Sequence, residues 1–258
     1  MAREQPKTRW GWRPWLMAAG GVVLFVSTGM AGFKVREFAL TDPQFTLERE
    51  DTAALTIEGL RYASRTRLMR VFEADYGRSV FAVSLAERRR RLMGIDWVAE
   101  ASVSRVWPNR LVVRITERKP LAFVNLPLAT GFTRVLLIDG NGQLLEPPAQ
   151  SHFSFPVLSG ITEAQSDAER RMRVHAMTKL LEALGPAGKE ISEVNAADAE
   201  NLRIVTQIDG HPVELLMGDG NYARRYQGFL AHYSEIRKRS EATLTFDLRL
   251  DDRITAKD

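Results

Sequence analysis

The chain has 258 residues, enough for one membrane segment and one or two domains of ordinary size. It contains no cysteine, which excludes disulfide bonds, thiolate metal sites and a lipid-modified cysteine. The net charge of +4 suggests nucleic acid binding, but residues 1–14 alone carry four basic residues and one acidic residue. From Lys34 onward, 32 basic residues face 31 acidic ones. The positive charge therefore belongs to the N-terminal tail, and we predict no nucleic acid partner.

The first predicted element is an uncharged segment of nineteen residues, Trp15 to Phe33. As a helix it would be about 28 Å long, close to the thickness of the hydrocarbon core of a bilayer. Because four basic residues precede it, we expect the N-terminus to be cytoplasmic. A cleaved signal peptide is the alternative, since Gly29 and Ala31 loosely resemble a cleavage pattern, but the apolar run is longer than a signal-peptide core. We predict a cytoplasmic tail at 1–14, one transmembrane helix at 15–33 and a linker at 34–44.

Residues 45–117 predict a small α+β domain in the order strand, helix, helix, strand, strand. The first strand is Ala54 to Ile57, and the two helices begin near the capping residues Ser64 and Ser84. The last two strands, Val98 to Val106 and Arg110 to Glu117, are joined by a Pro-Asn turn, and the second alternates apolar and polar residues. We expect the two helices to cover the one apolar face of this sheet.

Three segments of this region form a specific pattern. They are I-D-W-V at 95–98, W-P-N-R-L at 107–111 and E-R-K-P-L-A at 117–122. The pattern closely resembles the signature of the POTRA domain in the FtsQ family of bacterial cell division proteins, called DivIB in some bacteria. The resemblance implies a POTRA fold for residues 45–117.

Residues 118–250 predict a second domain, a mixed β-sheet packed with helices. Ser166 and Glu169 form a capping-box pattern ahead of an apolar helical face that ends at Gly185-Pro186. Aromatic residues from Tyr222 to Tyr233 follow one face of a later helix, and we interpret them as core. The predicted strands are Leu121–Asn125, Arg134–Asp139, Gln143–Leu145, Leu202–Thr206, Val213–Met217 and Thr243–Leu250.

Asp139-Gly140-Asn141-Gly142 is predicted to be a hairpin turn, because the spaced carboxylates of an EF-hand loop are absent. The last predicted strand, Thr243–Leu250, alternates between apolar and polar residues and leads to a tail at 251–258. The region from Gly218 to Asp251 resembles, in weaker form, the C-terminal pattern of the same FtsQ family. We therefore expect an α+β protein: a single N-terminal transmembrane helix, a POTRA domain and a mixed β-sheet domain.

No catalytic, cofactor or metal site is predicted. The histidines at 152, 175, 211 and 232 lie far apart in the sequence, and the common nucleophile and phosphate-binding motifs are missing. We interpret the run from Arg88 to Arg91 as a solvated helix face. Asp251 and Asp252 are adjacent, which on a strand would direct them to opposite faces, and a turn or chain end explains them better than an acid–base pair.

The family resemblance implies a non-enzymatic component of the division complex, or divisome, in the inner membrane at the septum, with its domains in the periplasm. It implies partners of the FtsB, FtsL, FtsK and FtsW/FtsI types and no small-molecule substrate. An exposed edge at the last strand is suited to adding a partner strand. The partner-binding residues we predict there are Leu248, Arg249, Leu250, Asp251, Asp252, Arg253 and Ile254. One alternative hypothesis is a POTRA-containing protein assembly or secretion factor, although only one POTRA unit is present. A second is a membrane-anchored cell-wall hydrolase or other enzyme, which the missing catalytic motifs disfavour.

Overall fold

A computed structural model of the chain describes residues 13–128, 131–149, 151–239, 244–251 and 253–257. The side chains at positions 13–16, 18–20, 22 and 239 are not part of this description, and residues 1–12 of the predicted tail lie outside it. Two compact units are present, and each is described by itself. The first unit comprises residues 1–59, 64–92 and 101–115, and the second comprises residues 60–63, 93–100 and 116–258.

Helix α1, Arg13–Thr41, is the first element of the first unit. Its backbone includes the predicted transmembrane segment and continues through positions 34–41, so most of the predicted linker is helical. Of the predicted span, the side chains at 15, 16, 18–20 and 22 lie outside the described residues. Within the part that is described, we find no helix with the combined length and hydropathy that crossing a membrane requires.

The predicted order strand, helix, helix, strand, strand is confirmed. The bounds of the five elements are β1 Leu55–Glu58, α2 Arg65–Arg70, α3 Leu85–Met93, β2 Val98–Val106 and β3 Arg110–Glu117. The strands form a sheet in the order β1-β3-β2, in which β1 runs parallel to β3 and Leu55 is opposite Leu111. Ser64 caps α2 by accepting a hydrogen bond from the amide of Arg67. Alternate residues of β3 are buried, as the sequence pattern indicated.

One prediction for the first unit is wrong. Arg89, Arg90 and Arg91 are exposed, but Arg88 is buried and forms two hydrogen bonds with Asp75, from Nε at 2.6 Å and from Nη2 at 2.8 Å. These hydrogen bonds raise the pKa of Arg88. A buried guanidinium needs such a partner, and Asp75 lies thirteen residues earlier, where helical periodicity gives no signal.

In its described residues, the second unit is built on a mixed sheet of nine strands. Their bounds are β4 Pro120–Pro127, β5 Thr133–Asp139, β6 Leu144–Leu145, β7 Val157–Ser159, β8 Ile191–Asn195, β9 Leu202–Ile208, β10 His211–Gly218, β11 Thr245–Asp247 and β12 Thr255–Lys257. They are arranged in the order β12-β11-β10-β9-β8-β7-β4-β5-β6. Strands β7, β8 and β12 were not predicted. Together with the first sheet and the helices, this mixed sheet confirms the α+β class.

Two helices, α4 Asp167–Leu184 and α5 Tyr222–Arg239, pack on this sheet and share one core with it. The capping box of Ser166 and Glu169 is present at the start of α4. The aromatic residues of α5 belong to the core, as predicted, and Phe229 is fully buried 5.1 Å from the ring of Phe246 in β11. The C-terminal strands are therefore anchored to the core through α5.

Three residues of the POTRA signature have structural roles within the second unit. Trp97 is buried and donates its indole N–H to the carbonyl of Glu146 at 2.9 Å. Glu117 accepts hydrogen bonds from the backbone amides of residues 61–63 at 2.7 to 3.0 Å. Arg118 donates to Oδ2 of buried Asp139 at 2.9 Å. The other oxygen of Asp139 accepts the amides of residues 141 and 143, so the predicted hairpin turn is confirmed.

Candidate partner-binding surface

The C-terminal edge of the nine-stranded sheet is formed by the last two strands. β11 pairs in parallel with β10, and β12 then pairs antiparallel with β11, with Ala256 opposite Phe246 and Lys257 opposite Thr245. All three residues of β12 are exposed. Among the described residues no strand pairs with the outer side of β12. Its outward N–H and C=O groups are therefore available to another chain.

Residues 248–254, which we call the C-terminal segment, connect β11 to β12. The sequence predicts a strand from Thr243 to Leu250, but Thr243 lies outside the described residues and the strand ends at Asp247. The segment leaves the sheet and returns as β12, so the exposed edge strand begins five residues after Leu250, the end of the predicted strand. A three-residue strand carries too little periodicity to be recognised in the sequence.

Asp247, the last residue of β11 before the C-terminal segment, has a carboxylate with several partners. Asp247 accepts hydrogen bonds from Arg249, from Nε at 2.8 Å and Nη2 at 2.6 Å, and its Oδ2 lies 3.4 Å from Nζ of Lys257. The hydrogen bonds from Arg249 are the main reason why the pKa of Asp247 is far below its usual range. Through Lys257, the same carboxylate also contacts the edge strand β12.

Farther along the segment, Asp251 is bound to the first turns of α5. It accepts Nε–H of Arg225 at 2.8 Å and the side-chain amide of Asn221 at 2.9 Å, and the Arg225 bond lowers the pKa of Asp251. Arg225 also donates Nη1–H to the carbonyl of Met217 at 2.7 Å. Gly218, at φ +69°, leaves room for Arg225, because a Cβ at this position would lie 2.9 Å from its Nη1.

A pocket of about 340 Å³ lies between α5 and the C-terminal segment. Its apolar part includes Leu250, which is 51% exposed, and half-buried Ile254. Arg224 and Arg253 supply positive charge, and His232 completes the α5 side. The pocket is therefore suited to an apolar side chain accompanied by a carboxylate.

The structure places the predicted partner-binding residues in different environments. Leu248 is buried and donates its amide N–H to the carbonyl of Leu216 at 3.0 Å, so its role is to anchor the segment. Arg249 and Asp251 are held by the ion pairs described above. Leu250 and Arg253 are exposed beside the pocket, and Asp252 lies outside the described residues. Sequence reasoning missed β12 and the α5 side of the pocket.

The histidines do not form a metal centre in the part of the chain that is described, where no group of three or more potential ligands occurs. His232 hydrogen bonds through Nδ1 to the carbonyl of Gly228 in its own helix at 2.9 Å. The site itself consists of an exposed strand edge and an apolar and basic pocket.

Two family models match the chain. Residues 52–118 match the POTRA domain of FtsQ type, and residues 128–249 match the C-terminal domain of the cell division protein FtsQ/DivIB. A cell division protein FtsQ from Koribacter versatilis is 31% identical over 236 residues, which are 89% of this chain and 67% of that protein. The FtsQ of Geotalea daltonii is 24% identical over 246 residues, which are 92% of this chain and 85% of that protein.

Proposed function

Because this chain belongs to the FtsQ/DivIB family of cell division proteins, we propose that it is a non-enzymatic scaffold of the divisome whose C-terminal sheet edge binds another protein by strand addition. The family is associated with the membrane and with division, and its members act through other division proteins. For this chain the specific proposal concerns topology, the binding surface and the partners.

The proposed topology is a cytoplasmic tail at 1–14 and a single inner-membrane span at 15–33. The POTRA domain at 45–117 and the β domain at 118–250 are then periplasmic and located at the septum. The uncharged segment and the basic residues before it support this orientation. The helical backbone of α1 over the whole segment is compatible with a span.

The observation that carries the binding proposal is the edge strand β12. Its three residues are exposed and its outer backbone groups lack a strand partner among the described residues. A partner in extended conformation gains main-chain hydrogen bonds at such an edge, while side-chain pockets beside it select the sequence. Here the pocket lined by Leu250, Arg253 and Arg224 supplies that selection.

Within the C-terminal segment the predicted residues have separate roles. Leu250, Arg253 and Ile254 contact the partner through the pocket, while Leu248, Arg249 and Asp251 hold the segment in place. Asp252 is proposed to add charge selectivity. Exposed ion pairs contribute little free energy on their own, so the apolar contact at Leu250 should dominate the affinity.

The proposed partners at this edge are proteins of the FtsB and FtsL types, which connect to the septal peptidoglycan synthases FtsW and FtsI. The POTRA domain is proposed to mediate recruitment through an FtsK-type protein. No reaction is assigned to the chain, because its contribution is to bring these proteins together. No small-molecule substrate or nucleic acid is part of this proposal.

The test is binding of the full-length chain in lipid nanodiscs to the extracytoplasmic segments of FtsB and FtsL homologues from the same organism. Leu250→Glu places a charge at the pocket, and Leu230→Glu is the matched control, because Leu230 is 43% exposed on α5 and does not line the pocket. We expect L250E to weaken binding at least about tenfold, which corresponds to ~1.4 kcal/mol, and L230E to leave it unchanged. The proposal fails if the unmodified chain does not bind or if both variants bind equally well.

A further inference from the structure

The end of α1 is bound directly to a loop of the first unit. Ser79 donates its hydroxyl to the carbonyl of Ala39 at 2.6 Å. Beside this bond, Phe38 packs edge-to-face on Phe45 with ring centroids 5.6 Å apart, and Phe45 packs in the same way on Phe81 at 5.2 Å. The end of α1 therefore packs against the loop at 78–83, directly through Ser79 and through Phe45.

This loop is held in one conformation by several hydrogen bonds. The amide of Val80 donates to the carbonyl of Phe45 at 2.9 Å. From the end of β2, Arg105 donates Nε–H to the carbonyl of Val80 at 2.7 Å and Nη2–H to the carbonyl of Val83 at 2.6 Å. The tip of the β2–β3 hairpin therefore lies at the same end of the first unit as the end of α1.

Large apolar side chains are exposed at this end. Phe81 is 43% exposed, Val106 is 43% exposed and Trp107 is 73% exposed. Val80 and Val83, which flank Phe81, are buried, so the loop presents Phe81 outward while its neighbours anchor it. We call Phe81, Val106 and Trp107 the apolar tip. Two exposed arginines add positive charge to this unit: Arg78, three residues before Phe81, and Arg36, three residues before Ala39 in α1.

The distance to the bilayer follows from the proposed topology, on which this inference rests. Ala39 is six residues after Phe33, the last residue of the proposed span, and six helical residues extend about 9 Å. The headgroup layer on each side of the hydrocarbon core is roughly 5–8 Å thick. Ser79 and the loop it belongs to are therefore at the outer boundary of the headgroups.

We propose that the apolar tip is a membrane-contact surface that seats the first unit on the phospholipids of the outer leaflet of the inner membrane. Tryptophan is favoured at the membrane interface, because its ring is apolar while its N–H bonds to water or headgroups. Basic residues beside it are attracted to anionic headgroups. The contact fixes the height of the POTRA domain above the membrane.

The experiment uses full-length protein in nanodiscs of phosphatidylglycerol and phosphatidylethanolamine, with a nitroxide quencher near the headgroup. Because the chain has no cysteine, Arg110→Cys carries a unique fluorescent label at the hairpin tip. Glu58→Cys carries the control label, because Glu58 is opposite Arg114 in the sheet register, toward the other end of β3. We expect quenching at position 110 and none at position 58.

The second arm tests whether the apolar tip causes the contact. Phe81→Glu with Trp107→Glu should abolish quenching at position 110, and Arg114→Glu, which changes the net charge by the same amount, should preserve it. Trp107→Glu alone serves if the double variant misfolds, because Trp107 is mostly exposed.

The outcomes separate the two proposals. A chain that is released from membranes by alkaline extraction overturns the proposed topology and this inference with it. A chain that remains inserted without quenching at 110 overturns the inference alone. Quenching that persists in the Glu variants shows proximity through the tether only and also overturns the inference.

Discussion

Arg225 in α5 and Asp251 in the C-terminal segment are joined by a hydrogen bond of 2.8 Å between Nε and Oδ1. Because Arg225 also bonds to the carbonyl of Met217 at the end of β10, one side chain connects a helix, a strand and the segment that borders the proposed binding pocket. This arrangement positions the segment without placing it in the sheet.

Replacement of Arg225 by alanine should loosen the C-terminal segment. The side chain is largely buried, and its loss leaves the Met217 carbonyl without this donor, which costs about 1–3 kcal/mol. We expect faster amide hydrogen exchange in residues 245–257 and weaker partner binding. Arg224→Ala is the control, because Arg224 lines the pocket and acts on Asp251 through its charge, whereas Arg225 also hydrogen bonds to Asp251 and to the Met217 carbonyl. It should weaken binding while exchange stays unchanged.

Proline scanning of the edge strand should give an alternating result. Successive residues of a strand direct their N–H groups to opposite sides. The N–H of Ala256 therefore points to one side of β12, and those of Thr255 and Lys257 point to the other; one side faces β11 and the other is the exposed edge. A proline on the outward side should block partner binding and preserve the fold. A proline on the inward side should instead accelerate exchange in β11. Equal partner affinity for all three prolines would contradict strand addition.

The Asp247 carboxylate should make stability depend on pH. Its pKa is lowered in the folded chain by Arg249, so its contribution is present above the unfolded-state pKa near 4 and is lost as the pH falls through the folded value. We expect Asp247→Asn to be less stable than the parent chain at pH 7 and the difference to shrink below about pH 4. Urea unfolding at several pH values measures this.

The control for that series is Asp209→Asn. Asp209 is exposed in the β9–β10 turn at φ +52°, a conformation that asparagine also tolerates. We expect its unfolding midpoint to match that of the parent at pH 7. A stability difference for D247N that is constant from pH 7 to acid would show that the carboxylate charge is not responsible.

At the buried pair of Asp75 and Arg88, replacing one residue should lower stability more than replacing both. Asp75→Ala leaves the Arg88 guanidinium buried without the Asp75 carboxylate. Loss of one member of a buried ion pair costs about 3–5 kcal/mol of stability. Replacing both residues by leucine removes the uncompensated charge and should cost less. Hydrogen exchange in residues 64–92 reports on this region; a double variant worse than either single one would contradict the prediction.

Much of the local structure could be predicted because it depends on neighbours in sequence. The bounds of β2 and β3 match the prediction, since β3 shows the two-residue period over eight residues and a Pro-Asn turn separates it from β2. The start of α4 followed from the Ser166 capping box. The family pattern at 95–122 was recognisable for the same reason, because its residues are close together in the chain.

What the sequence could not reveal depends on residues that are distant in it. The burial of Arg88 requires Asp75, and the existence of β12 requires an open edge on β11. Leu248 and Leu250 have the same place in the alternating sequence pattern but different environments: Leu248 is buried in the core, and Leu250 is exposed at the pocket.

The α+β class, the family and the uncharged N-terminal segment could be inferred from local sequence patterns, and the same patterns predict a candidate surface near the chain end. The folded chain was needed to show which backbone edge is exposed, which side chains of residues 248–254 are held internally, and that α1 is bonded to the loop at Ser79. The physical reason is that periodicity and capping are local, whereas edge pairing, burial of charge and pocket formation depend on contacts made only after the chain has folded.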